Sequence, residues 1–277
     1  MNPILELQAV SLDFGGLSVL RDVSLDVLHQ GITALIGPNG AGKTALLNCI
    51  GGIYRPGAGR ILYQGQDLVG RSPGEIAHLG VARSFQNLEL FPTLTVTENL
   101  LVARDRRFRG AWRGGIFAAA AFFGGVRRRE IAEREAVERV IDFFELWPVR
   151  HVRAHDLPYG QQKIVGFARA MAMEPTLLLL DEPGSGLTRD EKEDLARFLL
   201  RLRHDWKISI LWIEHDLQMV MDLAERVHAL HLGQRIASGT PEEVRQVPAV
   251  IEAYIGEESL RSAPSADAPP APLRYRG

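Results

Sequence analysis

One stretch decides the fold, and it reads Ile32-Thr33-Ala34-Leu35-Ile36-Gly37-Pro38-Asn39-Gly40-Ala41-Gly42-Lys43-Thr44. Its first five residues are apolar or β-branched, which is typical of a strand buried in a parallel sheet. Residues 37–44 match the pattern G-x-x-x-x-G-K-[ST], which binds phosphate groups. A strand, a glycine-rich loop and a helix in this order predict an α/β core that binds a nucleotide.

Each fixed position of this loop has a chemical reason. Backbone N–H groups must come close to phosphate oxygens, so Gly37, Gly40 and Gly42 are expected to keep the loop free of side chains. Lys43 offers a cation to the β- and γ-phosphates, and Thr44 offers a hydroxyl ligand to Mg²⁺. The helix that follows points its positive end at the phosphates. The predicted nucleotide contacts are Gly37, Pro38, Asn39, Gly40, Ala41, Gly42, Lys43 and Thr44.

Length, composition and charge exclude some classes of protein. The chain has 277 residues, of which 46% are hydrophobic and 24% are charged, values that are ordinary for a globular protein with a large core. The net charge of -2 provides no general attraction to nucleic acid, so we expect no nucleic-acid partner. The single cysteine, Cys49, excludes an intrachain disulfide and indicates a reducing compartment.

No segment of the sequence is expected to cross a membrane. The longest apolar run, residues 116–126, is shorter than the roughly 20 residues that a bilayer requires. The N-terminus lacks the basic start and apolar stretch of a signal peptide. Any membrane role is therefore expected to depend on a partner.

A second buried strand ends in two acidic residues. Four leucines at 177–180 are followed by Asp181 and Glu182. We predict that Asp181 holds Mg²⁺ through water and that Glu182 polarises an attacking water. His215 follows a later apolar strand at 208–213, and α/β sheets bind ligands beyond the carboxyl ends of their strands. This position favours a γ-phosphate contact over an ordinary surface histidine.

Phe14 and Gln86 are two further candidates for the nucleotide site, and their interpretation depends on the nearby phosphate loop. Phe14 follows the first of two predicted antiparallel strands, residues 4–10 and 19–27. Its ring is interpreted as stacking on the nucleotide base, and the alternative is a core phenylalanine. Gln86 ends a short predicted strand at 81–85, where its amide could ligate Mg²⁺ or water.

The pattern becomes helical from about residue 87. Thr95 and Glu98 have the spacing of a capping box and predict a helix through about Ala103. Arginines between positions 104 and 129 either meet lipid headgroups or acidic loops of a membrane partner, or form a solvated cationic face. Residues 257–277 contain an Ala/Pro/Ser-rich stretch and are predicted to form a disordered tail.

These motifs together resemble the ATP-binding subunits of ABC transporters over roughly residues 5–256. The stretches 37–44 and 177–182 match the Walker A and Walker B motifs. Gln86 matches the Q-loop and His215 the switch histidine. Phe14 matches the aromatic residue that stacks on adenine.

The signature motif of that family is matched only in part. Residues 157–161 read LPYGQ where LSGGQ is usual, and Thr188 stands where the D-loop usually carries aspartate. The resemblance implies that Tyr159, Gly160 and Gln161 contact the γ-phosphate bound to an opposite subunit. Because the altered motif lacks the usual serine hydroxyl, we expect backbone N–H groups to make this contact. A side chain at Gly160 would block the approach of the phosphate, which explains the glycine.

A closer resemblance is to the LivG-like branch of branched-chain amino acid uptake systems. It rests on the segments 83–88, 90–96, 213–216, 239–243 and 250–256.

The resemblance implies a P-loop NTPase (RecA-like) core with an antiparallel β subdomain and a helical subdomain at about 87–160, within one cassette at 1–256. It implies ATP and Mg²⁺ as cofactors, with Lys43, Glu182 and His215 catalytic and with Thr44, Gln86 and Asp181 at the metal. Implied partners are a second ABC ATPase subunit, transmembrane permeases and an extracytoplasmic binding protein, with the chain peripheral at the cytoplasmic face of the inner (plasma) membrane.

The implied function is ATP hydrolysis that powers uptake of branched-chain amino acids or a related small polar substrate. Two alternatives remain open on the residues alone. One is an exporter ATPase of the lipopolysaccharide type, and the other is a soluble ABC ATPase outside transport.

Overall fold

The computed structural model describes residues 3–84, 90–105 and 122–254. Gln86, the predicted tail at 257–277 and much of the arginine-rich stretch lie outside the described residues. The strands are β1 (Leu5–Phe14), β2 (Leu17–Val27), β3 (Ile32–Ile36), β4 (Ala58–Tyr63), β5 (Gln66–Asp67), β6 (Val81–Ser84), β7 (Leu177–Asp181), β8 (Ser209–Ile213), β9 (Arg226–His231) and β10 (Gln234–Gly239).

Eight α-helices with defined bounds lie within the described residues. They are α1 (Lys43–Ile50), α2 (Pro73–His78), α3 (Val96–Asp105), α4 (Phe122–Phe143), α5 (Tyr159–Ala172), α6 (Arg189–Asp205), α7 (Leu217–Leu223) and α8 (Pro241–Arg245). Short 3₁₀ turns lie at Trp147–Val149 and Ala154–Asp156, and residues 248–254 are also helical. None of the helices in the described ranges combines the length and the apolar character that crossing a membrane demands.

Two sheets organise the chain. The larger has the order β10-β9-β3-β8-β7-β6, in which β9, β3, β8, β7 and β6 run parallel and β10 is antiparallel to β9. The smaller has the order β2-β1-β4-β5 and is antiparallel. The strands that precede Gly37, Glu182 and Glu214 are therefore parallel neighbours, and their carboxyl ends meet at one edge of the large sheet.

The large sheet is buried on both faces. Alternate side chains of a strand point to opposite faces. On β7, Leu177 and Leu179 join the core beside the small sheet and α1, whereas Leu178 and Leu180 join the core beneath the helices α3 to α7. The prediction that β3 and β7 are buried on both faces is confirmed.

The strand β1 and the helix α3 form as predicted, but both extend beyond their predicted last residues. The capping box at Thr95 and Glu98 is confirmed, since each side chain receives a backbone hydrogen bond from the other residue, and α3 extends to Asp105. The strand predicted at 4–10 continues to Phe14. Register shifts within β1 accompany this extension, and such irregularities leave no trace in a hydrophobic pattern.

His228 on β9 is a fully buried titratable group. Its Nε2 donates to the carbonyl oxygen of Asp26 at 2.8 Å. Burial lowers the pKa of His228 from 6.5 to about 4, although the hydrogen bond to Asp26 opposes this shift. The folded protein therefore holds this imidazole neutral over a pH range in which the unfolded chain protonates it.

We expect His228 to make the protein less stable as the pH falls from about 6.5 towards 4. Because the folded pKa is the lower one, the unfolded chain binds more protons within this window. At about 1.4 kcal/mol per pKa unit, the loss is at most about 3.5 kcal/mol. Denaturant unfolding of the wild type and of His228→Gln at several pH values checks this, and parallel pH profiles for the two proteins would contradict it.

Candidate functional site

The loop at 37–44 joins β3 to α1, as expected. Gly42 is the N-cap of α1 and has a φ of 100°, so the helix begins directly at the loop. Asn39, Gly40 and Thr44 are exposed. The start of α1 therefore lies at the protein surface, where the N–H groups of a first helical turn can bind phosphate.

Gly37 is required by packing as well as by its φ of 147°. A Cβ atom on Gly37 would overlap the carbonyl oxygen of Leu230 on the neighbouring strand β9. The sequence alone accounts for this glycine by the close approach of a phosphate. The structure adds a reason within the chain, which no local pattern could have revealed.

Lys43 lies inside the loop that it follows. Its Nζ atom donates to the carbonyl oxygens of Gly37 at 2.7 Å and Pro38 at 2.9 Å, and the side chain is buried. The loop therefore closes around an ammonium group. This places a positive charge next to the N-terminus of α1.

Thr44 and Asp181, the two predicted metal ligands within the described residues, lie together. The Oγ1 atom of Thr44 is 3.5 Å from Oδ1 of Asp181. Burial raises the pKa of this carboxyl group, and Arg83 opposes that shift. A hydroxyl and a carboxylate oxygen are hard ligands that fit Mg²⁺, which commonly takes one or two carboxylates together with substrate phosphates. The residues present therefore fit this ion.

Arg83 is a member of this cluster that the sequence analysis did not assign. Its Nη2 atom contacts Oδ2 of Asp181 at 3.0 Å, and its Nη1 atom contacts Oδ1 of Asn48 at 2.5 Å. Arg83 lies on β6, which pairs with β7, so its guanidinium reaches the end of the adjacent strand. In the sequence, the only indication that Arg83 belongs to the site is its position three residues before Gln86.

Glu182 and His215, two of the predicted catalytic residues, form a pair. The Nε2 atom of His215 lies 2.8 Å from Oε1 of Glu182. Glu182 has a φ of 49°, which is uncommon for a residue with a side chain, and its N–H donates to the carbonyl of Ile213. A strained residue that neighbouring strands hold in place is often functional.

Two buried charged residues hold the segment that follows Glu182. Glu214 accepts hydrogen bonds from the N–H of Gly184 at 3.1 Å and of His215 at 2.9 Å. Lys163 donates to the carbonyls of Pro183 and Ser185. Burial lowers the pKa of Lys163, and the charge of Glu214 opposes this. Sequence reasoning missed both residues, although Glu214 stands directly before His215.

The partial signature motif begins α5. Tyr159 and Gln161 are exposed, whereas Gly160 is buried. A Cβ atom on Gly160 would overlap Oε1 of Glu191. Glu191 therefore gives a second reason for a glycine at this position, and the open approach for phosphate stays a prediction. Thr188 also has a local role, since it forms a capping box with Glu191 at the start of α6.

Replacing Gly160 with alanine is expected to lower the free energy of unfolding by about 1 kcal/mol, the usual cost of a lost helix cap. The added methyl group must displace Glu191 from its capping box with Thr188. In a Glu191→Ala background the same change is expected to be neutral or slightly stabilising, because alanine suits a helix better than glycine. A double-mutant cycle by chemical denaturation measures this coupling, and additive effects would contradict it.

The two remaining candidates are placed differently. Phe14 is the last residue of β1, and its side chain is 47% exposed. Its ring meets that of Tyr54 edge-on, with centroids 5.1 Å apart. This exposure argues against the alternative of a core phenylalanine, and base stacking remains a prediction. Gln86 is outside the described residues.

Family models match two parts of the chain. A model described as ABC transporter matches residues 20–185. A second model, described as branched-chain amino acid ATP-binding cassette transporter, matches residues 234–259. The first range contains the loop at 37–44, the signature segment and β7.

Curated relatives cover nearly the whole chain. The high-affinity branched-chain amino acid transport ATP-binding protein BraF of Pseudomonas aeruginosa is 40% identical over 92% of this chain and 98% of its own length. The protein LivG of Escherichia coli, which has the same description, is 39% identical over the same shares. A probable LivG of Archaeoglobus fulgidus is 32% identical over 92% of this chain and 96% of its own length.

Solved structures show the same fold. A nucleotide-free ATP-binding cassette from an ABC transporter superposes with a TM-score of 0.79 at 30% identity and covers 92% of this chain and 100% of its own. A cassette in its ADP conformation gives the same TM-score at 29% identity, over 93% and 100% of the two chains. The predicted P-loop NTPase core with antiparallel and helical parts is thereby confirmed. With its phosphate loop and its carboxylate–histidine pair at one sheet edge, the chain belongs to the ATP-binding proteins of ABC transporters, within the group of branched-chain amino acid transport ATP-binding proteins.

Proposed function

We propose that the chain powers an ABC importer for branched-chain amino acids or a related small polar substrate by hydrolysing ATP. The observation that carries the chemistry is the placement of the Glu182–His215 pair, the Thr44–Asp181 pair and the Lys43 loop at one sheet edge. The relatives are branched-chain amino acid transport ATP-binding proteins, which supports the proposed substrate, and the family match at 234–259 supports the branch.

Hydrolysis of ATP requires water to attack the γ-phosphorus in line with the leaving oxygen, so positioning and charge stabilisation dominate catalysis. In the proposed site Lys43 and the N–H groups of α1 bind the β- and γ-phosphates. Glu182 orients the attacking water, and His215, which contacts Glu182 at 2.8 Å, faces the γ-phosphate. Thr44 and Asp181, with Gln86 as a further ligand, would hold Mg²⁺, which would supply positive charge that stabilises the phosphate oxygens.

The remaining site residues are assigned by the same proposal. Phe14 stacks on the base, and the loop at 37–44 surrounds the phosphates. Tyr159, Gly160 and Gln161 at the start of α5 contact the γ-phosphate bound to a second ABC ATPase subunit. Since Gly160 packs on Glu191, this contact is assigned to the helix N–H groups and the exposed neighbours of Gly160.

The proposed assembly places the chain in a larger complex. It pairs with a second ABC ATPase subunit on transmembrane permeases, at the cytoplasmic face of the inner membrane, and an extracytoplasmic protein delivers the substrate. Within the chain, we assign the cassette to residues 1–256, with the helical subdomain at about 87–160.

Purification of the chain from its native membrane, followed by reconstitution of the co-purified complex into proteoliposomes, tests the proposal. The expected result is co-purification of permeases and ATP-dependent uptake of labelled leucine, isoleucine or valine when the matching binding protein is added. Calorimetry of that binding protein against these amino acids, urea and short amides separates the candidate substrates. Export of lipid from the vesicles, or a complex without permeases, would overturn the importer assignment.

A further inference from the structure

The hydroxyl group of Tyr254 touches the first residue of the phosphate loop. The backbone N–H of Gly37 donates to Oη of Tyr254 at 2.8 Å, across 217 positions of sequence. Tyr254 ends the described part of the chain, in the helical segment 248–254, and it lies inside the range 234–259 that matches the branched-chain amino acid transporter model. The C-terminal segment therefore reaches the nucleotide loop.

Gly37 is fixed from three directions. Its N–H is held by Tyr254, and its carbonyl accepts from Nζ of Lys43 at 2.7 Å. Its α-carbon faces the carbonyl of Leu230 with no room for a side chain. Since Gly37 is buried, its N–H group needs an acceptor from the protein or from an enclosed water.

The segment that carries Tyr254 is anchored to the core. Val250 and Ala253 are buried, and the N–H groups of Val250 and Ile251 donate to the carbonyl of Val247. The partly buried side chain of Tyr254 packs against the core cluster beneath the helices. The ring is thus held by packing, which presents the hydroxyl group to Gly37 in a defined place.

We propose that Tyr254 is a positioning residue for nucleotide binding, acting on the phosphate loop through the N–H of Gly37. This inference rests on the ATP-binding part of the proposed function. Tyr254 fixes the backbone of Gly37, and the carbonyl of Gly37 accepts a hydrogen bond from Lys43. Tyr254 therefore helps to set the position of the Lys43 ammonium group before it meets a phosphate. Without the hydroxyl group the loop loses one of three restraints, and the cost appears in nucleotide binding rather than in the chemical step.

The test is Tyr254→Phe in the full chain, which keeps the ring and removes only the hydroxyl group. A single hydrogen bond of this kind corresponds to about a two- to tenfold change in affinity. We expect the Kd for a fluorescent trinitrophenyl-ATP and the KM for ATP in the assembled complex to rise by that factor, with kcat within about twofold of the wild type.

Tyr63→Phe is the matched control. It removes another hydrogen-bonded tyrosine hydroxyl, whose partner is the hydroxyl of Thr176. Thr176 directly precedes β7, at the opposite end of that strand from Asp181. We expect it to lower Tm while leaving Kd and KM unchanged. An unchanged Kd in Tyr254→Phe, or a fall in its Tm with both KM and Kd at wild-type values, would overturn the inference. Failure of the wild-type chain to bind the probe would instead overturn the ATP-binding function itself.

Discussion

Replacing Lys43 with alanine is expected to abolish ATP hydrolysis and to weaken nucleotide binding. The side chain places a buried ammonium group within 2.7 and 2.9 Å of two loop carbonyls, next to the start of α1. Alanine removes the cation proposed to meet the β- and γ-phosphates and also the group around which the loop closes. Loss of one such electrostatic contact typically lowers kcat by a factor on the order of 10² to 10³.

The measurement is the ATPase rate of the assembled complex alongside the nucleotide Kd of the purified chain. Lys207→Asn is the matched control, because it also removes one positive charge but lies just before β8, at the opposite end of the strand from the site. Asparagine is chosen since Lys207 has a φ of 55°, which asparagine tolerates. Turnover of Lys43→Ala at the rate of the control would reject the phosphate-loop assignment.

Glu182→Gln is expected to bind Mg-ATP but to hydrolyse it very slowly, so that an ATP-bound dimer accumulates. Glutamine keeps the shape of the side chain and removes the carboxylate proposed to orient water. General-base groups typically contribute about 10² to 10⁴ in rate. The amide can still hydrogen-bond to His215, which lies 2.8 Å from Oε1 of the glutamate, so the strand ends should keep their arrangement.

Size-exclusion chromatography with Mg-ATP measures the trapped dimer, and phosphate release measures turnover. Glu193→Gln, at an exposed carboxylate on α6 that pairs with Arg189, controls for the loss of one negative charge and should leave both readouts unchanged. Wild-type turnover in Glu182→Gln would show that another group is the catalytic carboxylate.

Residues whose role follows from their own neighbours in sequence could be predicted. The loop at 37–44, the end of β7 and His215 each follow an apolar strand, and a parallel sheet brings such ends together. Their types also match their chemistry, as with the hydroxyl and carboxylate oxygens of Thr44 and Asp181. The buried strands were readable for the same reason, since burial on both faces requires a continuous apolar run.

Residues that act across the fold could not be predicted. Tyr254 reaches Gly37 from the far end of the chain, and Arg83 reaches Asp181 from the adjacent strand. Both contacts join residues that are far apart in sequence, and sequence patterns describe only residues that are close together in the chain. The direction of Gly160 towards Glu191 depends likewise on the packing of α5 against the start of α6. Chemical type suggests which residues form a site, whereas packing decides which neighbours support them.

The strand order of the large sheet also bears on how the protein is made. The strand that carries the phosphate loop, β3, pairs with β8 and β9, which the ribosome synthesises much later. Pairing of parallel strands over such separations is slow to form, and domains fold as units during synthesis. The nascent loop must therefore wait, with its apolar strand unpaired, until nearly the whole cassette has emerged. An apolar strand that stays unpaired over this interval exposes the nascent chain to aggregation.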